Sequence, residues 1–128
     1  MSKIEIKTPE QVAMMREAGL VVARTLRTVA QAAVPGVTTA ELDALAEHEI
    51  RAAGVTPSFK GYHGYPASIC TSVNNEIVHG IPSQHRHLAE ADIISVDCGA
   101  IVDGWHGDAA VTIGVGDISP EHTRLLEV

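Results

Sequence analysis

Positive charge is scarce in this chain: Lys and Arg together number nine against sixteen Asp and Glu, a formal net charge of -7 over 128 residues. Phosphate backbones are bound by clustered Lys and Arg, so nucleic acid is excluded as a partner. Aromatic residues are few, with one Phe, one Trp and two Tyr. No apolar run approaches the roughly 18 residues of a membrane span, and the opening Met-Ser-Lys-Ile-Glu-Ile-Lys lacks the apolar centre of a signal peptide, so no membrane partner is expected. The only two cysteines, Cys70 and Cys98, sit in apolar strand patterns, which favours reduced thiols in a cytoplasmic protein over a disulfide. What remains is one domain, residues 1–128, long enough to bury a core.

Lys3 to Lys7 alternates polar and apolar and reads as a short strand. Thr8-Pro9-Glu10-Gln11 is a capping-box start for a long helix whose apolar stripe runs through Val12, Met15, Gly19, Val22, Leu26, Val29 and Ala33 and stops at Pro35-Gly36. A second helix begins at Thr38 with Glu41 as its box partner, buries Leu42, Leu45, Ala46 and Ile50, and ends at Gly54. Short strands and loops follow. Phe59, Tyr62 and Tyr65 cluster around Gly61-Tyr62-His63-Gly64-Tyr65-Pro66, either as anchors of a turn or as the wall of a pocket for an apolar side chain. Ala67 to Val73 reads as a strand, Asn74-Asn75 as a turn, and Glu76 to His79 as the returning strand. The Gln84-His85-Arg86-His87 run reads as a solvated loop rather than a metal site.

From Asp92 to Ile113 two runs rich in β-branched residues flank Asp103-Gly104, a strong signal for a hairpin with a type I′ turn. That turn sets Gly99 opposite Asp108 and Asp97 opposite Ala110, so Asp97 and Asp108 are diagonal neighbours on one face. Ile94, Val96, Cys98, Ala100, Ala109, Val111 and Ile113 then form the core face. Two carboxylates so placed repel; one keeps its proton, water floods in, or a cation sits between them. A solvated pair is the ordinary outcome. Gly99, expected to leave open space beside the pair, favours the cation, and all-oxygen ligation suits Mn, Co, Fe or Mg better than structural zinc.

These residues carry a resemblance. Gly61–Pro66, Val73–Pro82 with its His79-Gly80-Ile81-Pro82, Val96-Asp97-Cys98-Gly99 and Asp103–Asp108 together resemble the bacterial, type I methionine aminopeptidases. The hairpin by itself is shared more widely among pita-bread metallopeptidases. The resemblance implies an α+β, pita-bread metallopeptidase fold, here its N-terminal half, with two helices packed on antiparallel β-hairpins and the C-terminal half absent. It also implies roles. Asp97 would chelate one metal and Asp108 bridge two, the metals being divalent (Co, Mn, Fe or Zn; two per complete site). His79 would contact substrate beside the scissile peptide as a catalytic residue, and His63 and His106 would stand one layer out. Phe59, Tyr62, Tyr65 and Cys70 would line the pocket for a methionine side chain, an apolar wall suiting an unbranched thioether. The implied reaction is metal-assisted hydrolysis by activated water, with a carboxylate as general base.

The implied substrates are the N-termini of nascent polypeptides, with the ribosome as a candidate partner. The family's remaining ligands, one His and two Glu, come from a second half; after Asp108 this chain offers only Glu121, His122 and Glu127. A chain with two of five ligands is expected to be inactive alone, needing the missing half or self-association to complete the site. Two other readings stay open: a non-catalytic polypeptide-binding or pairing module, and a pita-bread peptidase acting on Xaa-Pro bonds.

Overall fold

Thr8 and Gln11 close a capping box, with Gln11 N–H donating to Thr8 Oγ1 (3.3 Å) and Thr8 N–H to Gln11 Oε1 (2.9 Å), and helix α1 runs Pro9–Ala32. Thr38 and Glu41 repeat the device for α2, Thr39–Ala52. The computed structural model describes residues 4–128. Lys3 of the expected first strand lies outside them, and Ile4 to Lys7 form no strand. They meet no other strand, and Ile4 and Ile6 stand in solvent.

Strands β1 (Thr56–Pro57), β2 (Ile69–Val73), β3 (Ile93–Val102) and β4 (Trp105–Gly114) form one antiparallel sheet, and a last helix, α3, covers Pro120–Glu127. Strand β3 is central. Along one edge it pairs with β2 and then β1; along the other it pairs with β4 over its whole length. Among the described residues no strand occupies the outer edge of β4. The Glu76 to His79 strand expected from the alternation does not form. Asn74 takes a left-handed φ of 55° and turns the chain outward; beyond the turn bond from Glu76 N–H to Val73 C=O (3.1 Å), the backbone of the return bonds to β2 only through Gly80, leaving Ile77 88% exposed.

Both long helices lie on the face of the sheet that carries Ile94, Val96, Cys98 and Ala100, where Val22, Leu26, Val29, Leu42, Ala46 and Ile50 close the core. The helix stripe starts later than its spacing predicts. Val12 is 53% exposed and Met15 is also exposed, while Ala18, Val21 and Thr25 are buried. The first turns of α1 overhang the sheet, and Thr25 is tolerated inside because its hydroxyl donates to Val21 C=O (2.9 Å). Ala109 and Val111, expected in the core, are exposed. Helix α1 packs along β4, most closely at Gly107, yet leaves Ala109 and Val111 open to solvent, Val111 at 38% exposure.

At Gly107 a β-carbon would stand 2.5 Å from Gly19 N and 2.6 Å from Ala18 C. Backbone cannot yield as a side-chain tip does. Gly107→Ala is therefore expected to cost about 1–3 kcal/mol of stability in urea unfolding, by prising α1 off the hairpin.

Candidate active site

The Asp103-Gly104 turn has φ values of 47° and 82°, both left-handed as a type I′ turn demands, and it enforces the expected register: Val102 opposite Trp105, Gly99 opposite Asp108, Asp97 opposite Ala110. Asp97 and Asp108 thus share the face turned away from the helices. Strand β2 adds Cys70, directly opposite Asp97, to the same face. Cys98 points to the other side, so the two thiols cannot approach each other across the sheet and both are free. Burial pushes the Cys98 thiol up to about 12 and raises Cys70 too, Asp97 adding to the latter.

Around the two carboxylates opens a cavity of about 600 Å³. It gathers Phe59, Tyr62, His63, Tyr65, Cys70, His79, Asp97 and Asp108, which are eight of the nine site residues expected from the sequence. The ninth, His106, lies beside it, its Nδ1 3.0 Å from Ser58 Oγ. Pro66 and Ile81 also line the cavity. Both lie within the motifs that carry the family resemblance, but neither was given a site role.

Gly99 does not leave the open space expected of it. Pairing of β1 with Ala100 and Ile101 carries the chain over Gly99, where Ser58 N–H donates to Gly99 C=O (3.0 Å). Ser58 Cβ and Phe59 Cε1 then stand 2.9 Å from where a β-carbon would be. The free space lies on the opposite side, toward Cys70 and the aromatic loop.

That loop is a single 3₁₀ turn, Tyr62–Gly64, entered through Gly61 (φ 86°) and containing His63 at φ 47°. The His63 ring meets Tyr62 edge-on, centroids 4.3 Å apart. Tyr65 hydroxyl donates to Ile69 C=O (2.8 Å) and lies 3.4 Å from Gly80 C=O, tying the loop to β2 and to the His79 segment. Burial, with Cys70 beside it, keeps this hydroxyl protonated well above the usual tyrosine range. His79 itself has φ 59°, a left-handed backbone uncommon for a residue with a side chain. Gly80 holds it there, with Thr71 N–H donating to Gly80 C=O (2.8 Å) and Gly80 N–H to Ser72 Oγ (3.0 Å).

Asp97 Oδ1 is buried and has no hydrogen-bond partner. Burial first, and the neighbouring Asp108 second, push this carboxyl up to about 6, against a pull downward from His79 and from the Cys98 N–H. A buried carboxylate oxygen without a donor, next to a second carboxylate and facing a cavity, is what a divalent cation would satisfy. The donor set is incomplete, since the described residues hold no group of three or more His, Cys, Asp or Glu placed to bind a metal. Glu121 and His122 begin α3, away from the cavity. The His85 and His87 loop is exposed, and no described helix is long and apolar enough to cross a membrane.

The model of Metallopeptidase family M24 matches residues 13–128. A methionine aminopeptidase of Clostridium acetobutylicum is 57% identical over 125 residues, 98% of this chain and 50% of that protein. A methionine aminopeptidase 1 of Mycobacterium tuberculosis is 57% identical over 113 residues, 88% of this chain and 42% of that protein. Among solved structures, the Thermotoga maritima methionine aminopeptidase superposes with a TM-score of 0.95 at 43% identity, covering 98% of this chain and 51% of that one. The chain spans about half the length of the relatives it matches.

Proposed function

The chain belongs to metallopeptidase family M24, and we propose that its described half supplies the methionine pocket and two of the metal ligands for removal of N-terminal methionine from new polypeptides. The observation that carries this reading is the unpartnered Asp97 Oδ1 beside Asp108 at the floor of an aromatic-walled cavity. Asp97 and Asp108 would hold divalent cations, Co, Mn, Fe or Zn, which supply Lewis-acid polarisation and an activated water when bound.

This chain's own residues do the rest. Phe59, Tyr62, Tyr65 and Cys70 present an apolar wall that accepts a thioether side chain and excludes water from it. His79, held by its strained backbone at the cavity edge, would donate a hydrogen bond to the peptide being cut. His63 and His106 would orient the loops around the site. Substrates would be nascent chains met in the cytoplasm near the ribosome, where Cys70 and Cys98 stay reduced. Nucleic acid and membranes have no part in it. The outer edge of β4, with Ala109 and Val111 exposed beside it, offers the surface on which a second half or a second copy would complete the ligand set.

Methionine release from Met-Ala-Ser, with added Co or Mn, tests the proposal. The 128 residues alone are expected to release none. Adding the second half of a type I relative in trans is expected to restore release, and the Asp97→Ala, Asp108→Ala double variant to abolish it. Failure of the complemented protein on this peptide, with cleavage of an Xaa-Pro peptide instead, would transfer the assignment to the Xaa-Pro branch of the fold.

A further inference from the structure

Two acidic side chains on α2, one helical turn apart, grip the two ends of the aromatic loop without lining the cavity. Asp43 is half-buried, and its Oδ1 accepts from the N–H groups of Ser68 (2.8 Å) and Ile69 (3.0 Å) where β2 begins. Burial raises the Asp43 carboxyl and the two backbone donors only partly offset it, so what fixes this side chain is the pair of N–H groups on one oxygen. Glu47 accepts from Lys60 Nζ (2.6 Å) and Arg51 Nε (2.8 Å). Lys60 stands between Phe59 and Gly61, at the loop's entry; Ser68 and Ile69 stand at its exit.

The Ile69 residue is held from both sides. Its N–H goes to Asp43, and its C=O receives the Tyr65 hydroxyl, which also lies 3.4 Å from Gly80 C=O, next to His79. A shift of Ile69 therefore frees Tyr65 and loosens its tie to the His79 segment. The Glu47 to Lys60 pair is partly exposed and contributes little to global stability, so its loss acts on loop order rather than on the fold.

We propose that Asp43 and Glu47 are positioning residues for the cavity: by clamping the loop at Lys60 and at Ser68-Ile69 they set the spacing of the Phe59, Tyr62 and Tyr65 walls and hence which side chain the cavity selects. The selectivity part rests on the methionine-pocket reading above; the clamp itself does not.

Amide hydrogen exchange over residues 60–70 and binding of L-methionine amide against L-leucine amide test this on the 128-residue chain. Asp43→Ala is expected to speed loop exchange about tenfold and Glu47→Gln and Lys60→Met about two- to fivefold, with exchange in α1 and β3 unchanged, and all three to erode the preference for methionine amide. Asp43→Asn, which keeps an acceptor oxygen, and Lys60→Arg, which keeps the charge, are expected to restore most of both. Unchanged loop exchange in the three disruptive variants, or a rise spread equally through α1 and β3, would overturn the clamp. Faster loop exchange with methionine preference intact would overturn its role in selection. A parent chain that binds neither amide would count against the methionine pocket, while the exchange arm would still decide the clamp.

Discussion

Gly80→Ala is expected to destabilise the chain by about 3 kcal/mol or more and to remove most activity from a completed enzyme. A β-carbon at Gly80 would stand 2.0 Å from Thr71 O, 2.7 Å from Thr71 C and 3.0 Å from Ser72 Cα. All three are backbone atoms of β2, a strand fastened to β3 through five residue pairs, and they cannot retreat. The clash is relieved only by lifting the return segment off the sheet. That breaks the Thr71 N–H to Gly80 C=O bond and the Gly80 N–H to Ser72 Oγ bond, and each buried donor left unpaired costs about 1–3 kcal/mol. His79 moves with Gly80. A displacement of about 1 Å at a positioned catalytic group is worth on the order of 100-fold in rate, so a paired measurement of urea midpoint and turnover should show both losses. A variant with native stability would show that the segment is held less tightly than this geometry requires.

Asp97→Asn should separate stability from activity by moving them in opposite directions. In the metal-free chain the Asp97 carboxyl lies at about 6, against an ordinary value of 3.8. Below 3.8 folded and unfolded chains both carry the proton. Between 3.8 and about 6 the folded chain alone keeps it, so the stabilisation from this group is complete at low pH and lost as pH rises through about 6. At pH 7.5 the parent therefore holds a buried carboxylate that burial and Asp108 both oppose. The amide carries no charge, and its introduction is expected to raise stability at pH 7.5 by on the order of 1 kcal/mol after allowance for solvent screening, and to flatten this part of the pH profile. The same variant in a completed enzyme is expected to lose at least about 1000-fold in turnover, since on the proposed reading it removes a metal ligand. Millimolar Mn should raise the parent's unfolding midpoint at pH 7.5 and leave the variant's unmoved. Equal response of both to Mn would place the cation elsewhere.

The hairpin and the two helix starts were legible because each rests on contacts a few residues apart. Asp103-Gly104 admits one kind of turn, the turn dictates the register, and the register dictates that Asp97 and Asp108 meet. Thr8 with Gln11, and Thr38 with Glu41, cap their helices through partners three residues away. Misreadings came where distant pieces of chain decide. Alternation at Glu76 to His79 looks like a strand, yet after the turn bond from Glu76 N–H to Val73 C=O the backbone rejoins β2 only at Gly80, seated tightly on Thr71. Gly99 looks like a vacancy until β1 brings Ser58 and Phe59 across it. Nothing near Asp43 or Glu47 in the sequence marks them, because Ser68, Ile69 and Lys60 reach them only in the folded chain. Assignment of His79 to the site came from the likeness to a family rather than from its own surroundings in the sequence.

The seat of α1 on Gly107 joins Ala18 and Gly19 to a residue some ninety positions later. Closing a loop of that length costs conformational entropy that no contact repays until β4 is present, whereas the β3–β4 hairpin closes over two residues. Time order follows from this difference. During synthesis α1 is made first and waits, unable to dock until β4 has emerged, while the hairpin aligns Asp97 with Asp108 as soon as both are out. The meeting of Asp97 with Asp108 is thus expected to form early but transiently, and to become lasting only when the core that shelters it closes.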